Sequence, residues 1–193
     1  MSLPITHAVV PIAAAIAFGN PAGSKRLLAA AVIAAMIPDL DVLMRPLFNV
    51  PLSSVYGHRG AFHSLFFAIL AGMVTTGFHS HLKATRLAAA IAAAAAMASH
   101  GLLDMLTTNG LGVAYLWPIS SMRIYADWRL LPGSVESNGF RAAAIISRLG
   151  LEWHRVIAPM LVVAIVIRLG RRLARRNLVQ HAQSDRSRRQ SRR

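Results

Sequence analysis

The sequence predicts an all-α fold: a multi-pass transmembrane bundle of about five membrane helices, plus one short surface or re-entrant helix. Three observations predict it. Hydrophobic residues make up 55% of the 193, and mean hydropathy is +0.48, well above the balance of a soluble domain. The apolar residues gather into five stretches that approach the roughly 20 residues a bilayer core demands. Charge collects in the connections, and ten of the 21 Lys and Arg fall between Arg168 and Arg193.

The first stretch runs from Leu3 to Gly19 and closes on the turn-forming run Asn20-Pro21-Ala22-Gly23. No basic residue precedes it, and His7 and Pro11 interrupt it, so it reads as a retained helix rather than a signal peptide. Leu27–Met44 follows and is broken near its end by Pro38. The third stretch is Phe62–Phe78 and the fourth Leu87–Leu106, whose Ala92–Ala96 run reads as plain helix propensity. Between Thr107 and Arg155 lies a mixed segment with Gly110, Gly112, Pro118, Pro132 and Gly133, where loops and a short helix near Gly139–Leu149 are expected. Its Tyr115, Trp117, Tyr125 and Trp128 suit a headgroup-level belt or core packing equally. The fifth stretch is Val156–Leu169, after which the Arg-rich chain should stay helical and then become disordered through Ser184–Arg193. Two regions result: a membrane-embedded domain over residues 1–170 and a cytoplasmic tail over 171–193.

The net charge of +14 belongs mainly to that tail. A basic run after an apolar helix is a topology signal and a contact for anionic lipid, so nucleic acid is disfavoured as a partner. Lys25 and Arg26, Lys83 and Arg86, and the tail fall on one face of a five-helix bundle, which should be cytoplasmic. His7, Asp39, Asp41, His58, His63, His100 and Asp104 then all fall at one depth near the opposite, outer face. Ionisable groups in apolar segments are costly and mark function. With no cysteine, any metal must be held by imidazole and carboxylate.

His100 and Asp104 lie one helical turn apart and share a face. Gly101 between them permits close backbone approach. Asp39 and Asp41, two apart, point in different directions on a helix, so one is expected to face a metal and the other to cap a neighbour or hold a histidine. His58 and His63 flank Arg59, whose forked guanidinium could clamp a phosphoryl group, and Ser64 could cap the helix that follows. His79 and His81 read as solvated loop residues, and His154 and His181 have no carboxylate in a matching frame. Asp127 and Glu136 could approach the site, but no spacing says so.

His7, the PDLD of Pro38–Asp41, the HRGAFHS of His58–Ser64 and the SHGLLD of Ser99–Asp104, followed by Thr107 and Gly110, resemble the motifs of bacterial YdjM-like inner-membrane proteins. That family is described as LexA-regulated, membrane-bound, predicted metal-dependent hydrolases. The resemblance covers roughly residues 1–120 and implies a multi-pass protein of the bacterial inner membrane with a His/Asp metal centre.

The chemistry expected is hydrolysis of an ester or phosphoester in a membrane lipid or lipid-linked substrate at the outer, periplasmic interface. The donor set suits zinc, and also manganese or iron, as one ion or two. Asp104 or Asp39 would bridge metals or act as general base, and Arg59 would neutralise charge on a phosphoryl oxygen. The competing readings are a metal or proton transporter, which needs polar residues through the full depth, and a non-catalytic scaffold.

Overall fold

The computed structural model describes residues 3–19, 24–108, 111–128 and 142–190, the side chains of 142–144, 179 and 181–189 aside. It is all-helical. Among the described residues the only β-pairing is a single antiparallel bridge between Val113 and Ile124.

Helix α1 (Pro4–Phe18) starts with proline in its first turn, where a missing amide costs nothing, and ends at Gly19 with φ +80°. Helix α2 (Lys25–Met36) is capped by the Ser24 hydroxyl, which accepts from the Leu27 amide. Pro38 then withholds an amide, and the chain winds tighter into a 3₁₀ segment, Ile37–Leu43. A short α3 (Met44–Phe48) follows and turns at Asn49 in the left-handed conformation. Helix α4 (Leu65–Thr76) is capped by Ser64, as its position predicts, and α5 (Arg86–Met105) by Thr85. Helix α6 (Ala142–Glu152) covers most of the short helix expected near residues 139–149. A π-turn, Trp153–Ile157, leads into α7 (Ala158–Gln190), which continues past Ser184, where charge density predicts the helix to give way.

The helices pack in the order α4, α5, α2, α1, α7, with α1 also touching α5. Small side chains set the spacing. Ala31, Ala34 and Ala35 of α2 meet Ala93 and Ala96 of α5, while Ala13 and Ala17 of α1 meet Ala164 of α7. Such interfaces let backbones approach closely, so van der Waals contact between the helices is extensive. The large residues point outward instead: Ile33, Ile69, Met73, Ile91, Val162 and Val166 are all more than half exposed. An apolar exterior of this extent marks a surface that meets lipid or protein rather than water.

Two helical runs are long and apolar enough to cross a membrane, Lys25–Phe48 and Arg86–Met105, while Pro4–Phe18 and Leu65–Thr76 are apolar but shorter. The helix lengths are thus less uniform than five full spans. Arginine from position 168 onward dilutes α7, and the Ser64 cap and Gly77 turn shorten α4.

The basic connections meet as charge placement predicts. Ser24 and Arg26 bond the carbonyls of Leu82 and His81, and Arg171 lies over the Phe18 ring at 5.3 Å. Lys25, Arg26, Lys83 and the arginines of α7 therefore begin at one end of the bundle.

A Cβ placed on Gly72 would stand 2.8 Å from the Ala90 carbonyl oxygen and 3.0 Å from the Ala94 side chain, so the α4–α5 contact depends on glycine there. Gly72→Leu is expected to cost about 1–3 kcal/mol by overpacking. A lowered melting temperature in detergent checks this, and an unchanged one would show that the two helices do not pack at this point.

Candidate metal centre

All seven predicted ligands, with Arg59, come together at the end of the bundle opposite the basic connections. Each is delivered by a different local device.

Helix α1 presents His7, which is fully buried. Its ring stacks on that of His100 with centroids 3.6 Å apart, and Nε2 lies 3.7 Å from Asp104 Oδ1. The start of α1 is held from another helix. Glu152 of α6, fully buried, accepts from the Leu3 amide at 3.0 Å and from the Thr6 hydroxyl, and pairs with Arg148 at 2.9 Å. A carboxylate at a helix N-terminus satisfies orphan amides and opposes the helix dipole.

The 3₁₀ segment separates the two aspartates. At three residues per turn, positions two apart diverge by about 120°, so Asp39 and Asp41 face different neighbours. Asp41 is saturated by the loop: Oδ1 lies 2.6 Å from His58 Nδ1, and Oδ2 accepts the Arg59 amide at 3.1 Å and sits 3.1 Å from His63 Nδ1. Asp39 faces inward. Its Oδ1 is 3.4 Å from His100 Nε2 and 4.0 Å from His63 Nε2, and neither oxygen accepts a hydrogen bond from a described residue although the side chain is buried.

The loop from Asn49 to Ser64 is tightly folded. A Cβ on Gly60 would collide with the Val55 carbonyl, and one on Gly57 with that of Pro51. Arg59 itself has φ +65°, a strained conformation for a residue with a side chain. Its surroundings over-determine it: the amide donates to Asp41, and the carbonyl accepts from Ala114. The guanidinium is buried and pairs with Asp104, Nε to Oδ2 at 3.3 Å and Nη2 to Oδ1 at 3.4 Å. Arg123 clamps the loop from outside by donating to the carbonyls of Leu52, Ser54, His58 and Gly112.

On α5, His100 Nδ1 bonds the Ala35 carbonyl at 2.7 Å, and Nε2 reaches 3.1 Å from His63 Nε2. Asp104 Oδ2 lies 3.4 Å from His63 Nε2 and 3.7 Å from His100 Nε2. A Cβ on Gly101 would stand 2.6 Å from the His63 carbonyl, so the close approach expected of this glycine is present.

His7, Asp39, His100 and Asp104 form one group whose ligand atoms lie within 4.8 Å of one another, and Asp39, His58 and His63 form another. The residues fit a divalent cation on three counts. The donors are imidazole and carboxylate. The Asp39 carboxylate and His58 Nε2 are buried without a hydrogen-bond partner among the described residues, which is costly unless something else compensates. Third, His100 bonds the Ala35 carbonyl through Nδ1, which leaves its Nε2 as an acceptor 3.1 Å from His63 Nε2 and 3.4 Å from Asp39 Oδ1. A hydrogen on His63 Nε2 or a shared cation satisfies that nitrogen. Burial disfavours a charged His63, yet the adjacent carboxylates of Asp104 and Asp41 raise its pKa to about 9. A metal entering there displaces that proton.

His79, His81, His154 and Asp127 stand outside both groups, and Glu136 and the His181 side chain lie outside the described residues. Of the aromatics, Trp117 packs on Phe66 and Phe67 and Tyr115 bonds the Ala98 carbonyl, while Tyr125 and Trp128 are exposed. Sequence reasoning passes over Glu152 and Arg123. The signal for Glu152 is a lone acid between Leu151 and Trp153 near the start of an apolar helix. Nothing in the spacing points to Arg123, which binds backbone carbonyls only.

Glu152→Ala leaves the Leu3 amide and Thr6 hydroxyl buried without their acceptor, a loss of about 1–3 kcal/mol. The measurement is a thermal melt together with hydrogen exchange at the start of α1. Protection unchanged there would mean that Glu152 does not hold this helix end.

A model of the family described as YdjM inner membrane protein matches residues 1–178. The chain is 38% identical over 128 residues to inner membrane protein YbcI of Escherichia coli strain K12, covering 66% of this chain and 73% of that protein. No solved structure matches.

Proposed function

The chain belongs to the YdjM inner membrane protein family, and from that premise we propose that it is a multi-pass, membrane-bound, metal-dependent hydrolase. It cleaves an ester or phosphoester of a lipid or lipid-linked substrate at the outer face of the bacterial inner membrane. The observation that carries this reading is the buried Asp39 carboxylate, unbonded and facing converging imidazole nitrogens.

In this reading His7, His63, His100, Asp39 and Asp104 hold one or two divalent ions, zinc or else manganese or iron, with His58 Nε2 as a further donor. Asp41 orients His58 through Nδ1 and leaves its Nε2 as the donor, the carboxylate–histidine pairing common around metal sites, and the same carboxylate stands 3.1 Å from His63 Nδ1. The Ala35 carbonyl does the same for His100. When bound, the ion supplies a Lewis acid that makes hydroxide available near neutral pH. Asp39, with both oxygens open to the site, is the residue placed to take a proton from water. Arg59 holds Asp104 and presents a fixed positive charge to a phosphoryl oxygen.

The placement supports an interfacial substrate. The polar groups gather at one end of an otherwise apolar bundle, with basic connections at the other, so the positive-inside rule puts the site outside and α7's arginines in the cytoplasm against anionic lipid. A transport pathway would need polar side chains along its length, and the helices between the two ends are lined by alanine, leucine and isoleucine.

Elemental analysis of detergent-purified protein is expected to find one or two divalent ions per chain, lost in His63→Ala and Asp104→Ala together with hydrolysis of a phospholipid substrate. Full metal content and activity in both variants would overturn the reading. Asp41→Asn removes an orienting carboxylate while keeping its shape, so metal affinity is expected to fall by about 10–100-fold. A chelator competition titration measures this, and unchanged affinity would place Asp41 outside the metal's support.

A further inference from the structure

The structure contains a groove of about 240 Å³ bounded by α1, α2 and α5 and lined by apolar side chains. We propose that it is the subsite for one unbranched acyl chain of a glycerophospholipid whose headgroup reaches the His/Asp cluster. The inference rests on the hydrolase reading above and narrows its substrate.

Three helical ridges make the groove, and each runs into the cluster. On α1 the ridge Phe18, Ala14, Val10 is followed one turn further on by His7, three residues beyond Val10. On α5, Ala92 and Ala96 continue to His100. On α2, Ala31 leads to Ala35, whose carbonyl holds His100. Helices α1 and α5 touch where His7 stacks on His100, and the groove opens between them below that contact. On α1 the groove runs from Val10 to Phe18, eight residues or about 12 Å along a helix axis, and it begins one turn inward of His7 and His100, so a chain whose headgroup lies at the cluster would enter it after its first few carbons.

Shape selects the occupant. The volume is below the about 300–1,000 Å³ of sites for drug-sized molecules, six of the 13 lining residues are alanine, and none carries a polar side chain. A straight methylene chain, which needs no polar partner and no room for branches, suits a small apolar groove with so many short side chains. The gain is positional. Fixing the chain in line with His7 and His100 holds the headgroup ester against the donors, and binding energy from the non-reacting part of a substrate serves to orient the reacting part.

The test places full-length protein in nanodiscs doped with phosphatidylglycerol that carries a diazirine at the end of one acyl chain. After irradiation, labelled peptides are mapped by mass spectrometry. Label is expected to concentrate on residues 10–19 and 91–96. Ala14 and Ala95 line the groove and are exposed, so larger side chains there fill it without displacing the core. The double variant Ala14→Leu, Ala95→Leu should lose about tenfold in groove label, as expected when a couple of methylenes are denied burial, while metal content stays that of the parent. Label spread evenly over the outer helix faces, label unchanged by the double variant, or label displaced by excess polyprenyl phosphate would each overturn the proposal. Metal content is read on the same samples: groove label without bound metal would leave the subsite standing and remove the hydrolase reading, and bound metal without groove label would do the reverse.

Discussion

One carboxylate organises the polar end of this bundle. Asp41 receives His58, the Arg59 amide and His63 on its two oxygens. Three groups from a loop and a 3₁₀ turn are thereby locked to the end of α2. Without that anchor the loop carrying Arg59 in the left-handed conformation would relax, and His58 would lose the carboxylate bonded to its Nδ1. The geometry of the cluster is therefore a consequence of a contact outside it. Pro38 is the origin of the arrangement: by converting the helix end to 3₁₀ it turns Asp41 toward the loop and Asp39 toward the cavity.

The rest of the bundle serves the same end through close packing. Ala35 has no exposed surface, and its carbonyl can bond His100 only because α2 and α5 meet through alanines. Gly101 brings the α5 backbone against His63 in the same way. Larger residues at these places would separate the helices by an ångström or more, and the Nε2 atoms 3.1 Å apart would no longer share a ligand position. Helix spacing and ligand spacing are one constraint.

Much of this is legible in the sequence, for physical reasons. Helix periodicity forces His100 and Asp104 onto one face, and the cost of charge in apolar segments singles out all seven candidates. Basic residues in three connections predict which helix ends meet, and Ser24 and Arg26 against Leu82 and His81 agree. Other features depend on tertiary contacts that no spacing encodes. The division of labour between Asp39 and Asp41 is visible as a split but not as an assignment, because the choice depends on where the loop folds back. Arg123 acts on carbonyls from four residues far along the chain. Glu152 reaches α1 across 149 positions. Span count is the least legible quantity: apolar composition marks five stretches, but caps and prolines cut the helices to different lengths.

The cluster also carries an electrostatic argument. Asp39, Asp41 and Asp104 bring three carboxylates into a buried space where the Arg59 guanidinium pairs with Asp104. Uncompensated buried charge is among the costliest features a fold can hold. The fold does not escape it by distance, since Asp39 and Asp104 both face the same His100 nitrogen. Against the cost of burial, the carboxylates of Asp104 and Asp41 raise the pKa of His63, which lies between them, and so favour positive charge at that position. A divalent cation in that position would remove more of the excess charge than a proton can, and it would meet ligands whose orientation is already fixed by Asp41 and Ala35. Preorganisation of this kind means that little of the binding energy goes into assembling the site, and the difference remains available to hold the ion.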